Sequence, residues 1–281
     1  MRNVLLMMLA WARADKLAVR IDNEIAKSEK SGDAVSPRAW HLLGQKQKHA
    51  AIGAIARSVH KDRDRGRSQG DIYEFGVFTG GGLKAWVDLF SSHKIKFGTL
   101  WGFDSFAGLP SIRAHEAGYQ DQGDLRAGQF NALRYLRRDF AQFEAELQSL
   151  VKYDRMRLVR GFYNESLPAL SASTIAQMQP AVLIDFDGDF YESTIGPYEF
   201  LWRHCLVAVG TFVYYDDFQV CHPHHLPLCG EGKAHVEVTA RFNVSWEQLK
   251  PNVFRVRAFD APHCYATRSA RGGRAGAGAK T

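Results

Sequence analysis

The chain has 281 residues, 46% of them hydrophobic and 23% charged, which supports one large folded domain with an extension and excludes a wholly disordered chain. Its formal charge of +6 is uneven: residues 1–70 carry +7, residues 268–281 carry +4, and the stretch between them −5. The body that would carry chemistry is therefore acidic, which argues against DNA or RNA as substrate despite a pI of about 9.1. No segment reaches the roughly 20 apolar residues of a membrane span, so no membrane partner is expected.

The first 69 residues read as a helical extension. Val4 to Ala12 is apolar and follows Arg2, but the pattern continues into the charged Arg13 to Arg20 as an amphipathic helix does, not as a signal peptide. Leu5, Met8, Leu9, Ala12, Leu17 and Ile21 roughly follow helical spacing. Ser36-Pro37 is an N-cap followed by proline at the first helical position. Trp40, Leu43, Gln47, Ala51, Ile55 and Val59 then mark a second helix. Such faces cover a core, a substrate or another subunit, and a homo-oligomer is expected.

From Gly70 to residue 267 strand and helix alternate, which calls for a mostly parallel, Rossmann-like α/β sheet with right-handed crossovers. Strands are expected at Ile72–Gly76, Thr99–Asp104, Met156–Arg160, Ala181–Phe186 and Ala208–Tyr215. Val236–Phe242 and Val253–Phe259 are two further candidates, joined by a short helix-like turn around Trp246–Leu249 and suited to an antiparallel edge hairpin. The Arg/Gly/Ala-rich tail 268–281 cannot bury a core and reads as disordered. The cysteines Cys205, Cys221, Cys229 and Cys264 are too few and too irregularly spaced for a disulfide scaffold, which points to a reducing, cytoplasmic setting.

Chemistry-bearing residues collect where strands end. Asp71 to Gly82 reads D-I-Y-E-F-G-V-F-T-G-G-G, a strand turning sharply through glycines into a helix. Glycine lets backbone approach a ligand there, and a helix start favours polar or anionic groups. Packing alone can also demand such glycines. Neither G-x-G-x-x-G nor G-x-x-x-x-G-K-[ST] is present at this turn, which counts against a dinucleotide and a P-loop nucleotide. Glu74 and Gly76 end the first strand, and Asp104 and Ser105 the second, where an acid can hold two ribose hydroxyls or cap a helix.

The fourth strand ends in Asp185, Asp187 and Asp189, with Tyr191 and Glu192 beyond, and the fifth in Asp216-Asp217. Carboxylates so close repel unless protonated or bridged, and hard oxygen ligands suit Mg²⁺, Ca²⁺ or Mn²⁺. Downstream, Cys221, His222, His224, His225 and Cys229 match no usual zinc spacing. A histidine beside an acidic metal site can instead serve as a general base.

Together the blocks D-I-Y-E-F-G-V-F-T-G-G-G (71–82), W-G-F-D-S-F-A-G-L-P (101–110), G-F-Y-N-E-S-L-P (161–168), D-G-D-F-Y-E-S-T (187–194) and Y-D-D-F (215–218) resemble the macrocin O-methyltransferase family of class I S-adenosylmethionine enzymes. The resemblance implies a Mg²⁺-dependent O-methyltransferase that acts on a small hydroxylated molecule, a sugar or glycosylated natural product. It implies that Glu74, Gly76, Thr79, Gly80 and Gly82 cradle the methionine part of the cofactor and that Asp104 and Ser105 hold its ribose. By the same resemblance Phe162 and Asp185 are expected to complete the cofactor set, and Asp187, Asp216 and Asp217 to bind Mg²⁺.

One departure from the family pattern matters. The histidine base that follows the Asp-Asp pair in relatives is replaced here by Phe218-Gln219, so the catalytic candidates are His222, His224 and Asp187. A methyltransferase of nucleic acid or protein, supported only by the basic flanks, and a non-catalytic cofactor-binding homologue are the competing readings.

Overall fold

A computed structural model describes residues 48–49, 51–59, 70–111, 127–218, 230–261 and 264. The first predicted helix, most of the second, the charge-rich 61–69, the Cys/His segment 221–229 and the tail 268–281 lie outside the described residues.

A helical stretch over 51–59 (α1), with residues 48 and 49 helical just before it, precedes the sheet. In chain order there follow β1 (Asp71–Phe75), α2 (Gly81–Ser92), β2 (Leu100–Asp104), α3 (Ala132–Leu136), α4 (Phe140–Val151), β3 (Met156–Arg160), α5 (Tyr163–Ser166) and α6 (Ala172–Gln177). The chain continues through β4 (Ala181–Phe186), α7 (Tyr191–Arg203), β5 (Phe212–Tyr215), α8 (Gly230–Arg241), β6 (Ser245–Lys250) and β7 (Val253–Ala258). The strands form one sheet in the order β3-β2-β1-β4-β5-β7-β6. Pairings among β1 to β5 are parallel, and β7 runs antiparallel to both of its neighbours.

Alternating side chains send apolar groups to both faces of the sheet. Ile72, Leu100 and Leu183 pack under α1, α2 and α4 through Ala51, Ile52, Ile55, Leu83, Trp86, Phe143 and Leu147. On the other face Tyr73, Phe75, Phe103, Ile184 and Phe186 meet Tyr198, Leu201 and Trp202 of α7 and Val238 of α8. Phe75 stacks between Phe103 and Phe186, at centroid distances of 4.7 and 5.5 Å.

The amino end of β1 is fixed by a buried carboxylate. Asp71 accepts hydrogen bonds from the Thr99 and Gln179 backbone N–H groups, at 2.7 and 2.9 Å, and from Trp101 Nε1 at 2.9 Å.

Two expectations are corrected. Residues 236–242 are not a strand: most belong to α8, and the outer strand of the edge hairpin is 245–250, where a helix-like turn was expected. Val236 and Val238 alternate as in a strand, but Glu231, Ala234, His235 and Val238 are buried at helical spacing, with Glu231 in the first turn and Arg241 in the last. Ser245–Lys250 can remain polar because it is the edge strand of the sheet among the described residues.

The cysteine reading also changes. Cys205 and Cys264 form a disulfide across 59 residues, a departure from the reducing setting expected from the cysteine count. The end of α7 and the segment after β7 meet only in the folded chain, so spacing could not pair them.

Candidate active site

The strand order reverses between β1 and β4, the position where an open α/β sheet leaves a crevice beyond its carboxyl ends. Parallel register brings the candidate residues there together. Glu74 pairs with Asp185 across β1 and β4. Just beyond the strands, Asp187 N–H donates to the Phe75 carbonyl (2.8 Å) and Asp216 N–H to the Phe186 carbonyl (3.0 Å). Asp187, Asp216 and Asp217, all half-buried, each offer a carboxylate oxygen within 4.8 Å of the others, the geometry of a divalent-cation cup.

Charge in this cup is crowded. Burial and the charge of Asp216 push Asp187 well above the ordinary carboxylate range, although its side chain is one-third exposed. Asp217 is raised by burial and then by Asp189, with which it shares a hydrogen bond. Asp189, at a backbone φ of 61°, is raised to about 6, chiefly by burial, with the Asp217 hydrogen bond opposing.

The glycine turn is tightly built. Gly76 (φ 103°) and Gly80 (φ 85°) need the left-handed region, and a Cβ at Gly80 would lie 2.1 Å from Leu147 Cδ1. A Cβ at Gly82 would lie 2.3 Å from Glu74 Oε1 and 2.7 Å from Lys48 Nζ. Packing within the chain thus accounts for these glycines. Thr79 is nearly buried in the same turn.

The observation that bears on a ligand is at Glu74, which is 1% exposed and, apart from a weak backbone donor at Leu83, has no hydrogen-bond partner for its carboxylate among the described residues. Burial raises its pKa, Lys48 opposes, and Asp185 and Asp187 add to the rise. Asp185 Oδ1 is likewise buried without a partner.

Asp104 is more committed than the sequence suggests. Its Oδ2 accepts from Val77 and Phe78 N–H, both at 2.8 Å, and its Oδ1 from Phe106 N–H at 2.6 Å. Ser105 adds a side-chain hydrogen bond to the same carboxylate. Burial raises its pKa and those backbone donors oppose the rise. Ser105 Oγ donates to the Gly108 carbonyl (2.7 Å) and accepts from Ala107 N–H (3.0 Å), so its hydroxyl shapes the turn. Phe162 caps the short helix α5 at the end of β3. His222 and His224 fall outside the described residues.

Two residues of the centre were missed from sequence. Lys48 sends its ammonium from the helical residues just before α1 to Asp185 and, at 3.3 Å, to Asp187 Oδ2. Burial works to lower its pKa, but Asp185, Glu74, Asp187 and Asp216 more than offset this and hold it above the ordinary lysine value. The available signal was a lysine three and four residues before Ala51 and Ile52, hence on the apolar face. Glu231, 1% exposed, accepts from Asp217 N–H at 2.9 Å and has its Oε1 unpartnered. Nothing in G-E-G-K marks it.

A family model described as Macrocin-O-methyltransferase (TylF) matches residues 2–228. The demethyldecarbamoylnovobiocin O-methyltransferase of Streptomyces niveus is 28% identical over 159 residues, 55% of each chain. An 8-demethyl-8-(2,3-dimethoxy-alpha-L-rhamnosyl)-tetracenomycin-C 4'-O-methyltransferase of Streptomyces olivaceus is 26% identical over 151 residues, 54% of each chain. The chain therefore spans about half the length of these two relatives. The mycinamicin III 3''-O-methyltransferase of Micromonospora griseorubida is 21% identical over 74% of each chain. Among solved structures, the O-methyltransferase NovP shares the fold with a TM-score of 0.52 at 21% identity, over 74% of this chain and 79% of that one. With a match from residue 2 to residue 228, the chain belongs to the macrocin-O-methyltransferase (TylF) family.

Proposed function

We propose that the protein is a Mg²⁺-dependent O-methyltransferase that moves the methyl group of S-adenosylmethionine to a hydroxyl of a small sugar or glycosylated natural product. The observation that carries this reading is the juxtaposition, at neighbouring strand ends, of a buried carboxylate with only a weak backbone donor, Glu74, and the three-carboxylate cup of Asp187, Asp216 and Asp217. The methyl donor is cationic at its sulfonium and amino groups, which suits the free acceptors of Glu74 and the negative field of the cup.

On this reading Glu74, Gly76, Thr79, Gly80 and Gly82 bound the methionine part, with Asp185 behind them. Asp104 accepts from a ribose hydroxyl, Ser105 holds that turn, and Phe162 borders the base. Asp187, Asp216 and Asp217 hold Mg²⁺, which when bound supplies a Lewis acid that lowers the pKa of the acceptor hydroxyl. His222 or His224, or else Asp187, removes the acceptor proton. Strand ends fixed by the ladder keep these groups in place, and such positioning is worth several kcal/mol. The glycosylated acceptor class is supported by the rhamnosyl substrate in the name of the Streptomyces olivaceus relative.

The test is calorimetric titration with S-adenosylhomocysteine, followed by methyl-transfer assays on a panel of rhamnosylated acceptors, each in Mg²⁺ and in EDTA. Micromolar binding, with turnover only in Mg²⁺, is expected. No binding in either buffer overturns the cofactor assignment, and undiminished transfer in EDTA overturns the metal.

A further inference from the structure

Lys48 stands between the helical extension and the acidic centre. α1, which follows it, docks on the sheet through Ala51, Ile52 and Ile55, each at most 2% exposed. The lysine side chain is itself 2% exposed. Its ammonium lies 5.7 Å from the Trp86 ring centroid and 5.4 Å from that of Tyr214. Trp86 Nε1 in turn donates to Asp185 Oδ2 at 2.5 Å, so the main anionic partner of Lys48 is held by a second group.

The second partner is different in kind. Asp187 is half-buried and shared, since it also belongs to the cation cup with Asp216 and Asp217. An ammonium 3.3 Å from Asp187 Oδ2 and a divalent ion in the cup draw on the same carboxylate, and two cations so close repel strongly where water is scarce. Asp185, wholly buried and outside the three-carboxylate cup, keeps the lysine in place.

We infer that Lys48 is a positioning residue that acts as the resident cation of the acidic centre and competes with the divalent ion for Asp187, coupling the docking of α1 to metal occupancy. This rests on the divalent-site reading above. Loading the cup strips Lys48 of its second carboxylate and loosens the leading turn of the helix, while the Asp185 pair prevents its release.

The test is calorimetric titration of cofactor-free protein with Mn²⁺, comparing wild type with Lys48→Met and Lys48→Gln. Both variants are expected to bind Mn²⁺ at least tenfold more tightly. A lysine that only holds the helix would lower the melting temperature and leave Mn²⁺ affinity unchanged. Equal or weaker binding by the variants overturns the role of Lys48 and leaves the metal site standing. Binding by the variants with none by wild type supports it, and no binding by any of the three sinks the divalent site and the competition together. If neither variant folds, amide exchange over residues 51–59 in wild type decides. Faster exchange on adding Mn²⁺ supports the coupling, and unchanged exchange overturns it.

Discussion

Gly76 and Asp187 are in backbone contact: a Cβ at position 76 would lie 1.8 Å from the Asp187 carbonyl oxygen. The turn after β1 and the turn after β4 are therefore one packed unit, so the glycine that ends the first strand also sets the height of a proposed metal ligand. Gly76→Ala should cost about 3 kcal/mol or more, from the left-handed φ and the collision with backbone that cannot move aside. Denaturant unfolding checks this, with Gly196→Ala in α7, where a new Cβ meets nothing within 4 Å, expected neutral or stabilising by up to about 1 kcal/mol.

Asp187→Ala should abolish methyl transfer and weaken divalent binding by about two orders of magnitude, because a cup of three carboxylates loses a ligand. S-adenosylhomocysteine affinity should stay within a few-fold. Parallel titrations with Mn²⁺ and with the cofactor product separate the two effects, and unchanged methyl transfer would remove the metal role from this residue.

The acidic centre should make ion-free stability fall as pH rises. Asp189 titrates at about 6 in the fold, against about 3.9 unfolded. Its contribution is fully present below the unfolded value and is lost as pH rises through 6. Asp187 and Asp217 are displaced in the same direction. A divalent ion relieves that repulsion, so the rise in melting temperature on adding Mg²⁺ should be larger near pH 7.5 than near pH 5. Thermal melts in EDTA and in Mg²⁺ at both values check the sign.

His235 supplies an opposing limb. Its Nδ1 meets the Tyr215 hydroxyl at 2.9 Å, and burial lowers its pKa to about 4, against about 6.5 unfolded. Its neutral form stabilises the fold above 6.5, and that contribution is lost as pH falls through 4. His235→Phe should cost about 1 kcal/mol at neutral pH through the lost hydrogen bond and should flatten the decline between pH 6.5 and 4. Urea unfolding at both ends of that range measures it.

The Cys205–Cys264 bond closes a 59-residue loop. Chain entropy alone assigns it about 4 kcal/mol. Reduction, or replacement of both cysteines by alanine, should lower stability by that order, read by denaturant unfolding with and without reductant.

Much of the site was legible because a doubly wound sheet sends residues that follow strands to one place. Glu74, Asp104, Asp187 and Asp216 could be put on one edge without coordinates, since each follows an apolar run. Lys48 could not: it reaches Asp185 across 137 positions, and helical spacing shows which face a residue occupies, never which strand end lies beneath it. The exchange of helix and strand near the C-terminus has a local cause. Val236 and Val238 alternate as a strand would, while Ser245–Lys250, as an edge strand, lacks the apolar run that would have marked it.

Asp71 sits at the opposite end of the sheet from every residue discussed for chemistry, yet it governs them. By gathering donors from the segments that lead into β2 and β4, it gives three strands a common starting line. Strands that start level and rise about 3.3 Å per residue finish level, which puts Glu74 beside Gly102, whereas a register shift between Asp71 and Ile72 gives β4 one more residue before Asp185 comes level with Glu74. A carboxylate some three residues below the acidic centre thus ties together the segments that carry it, and a change there would disturb the site without touching anything the site touches.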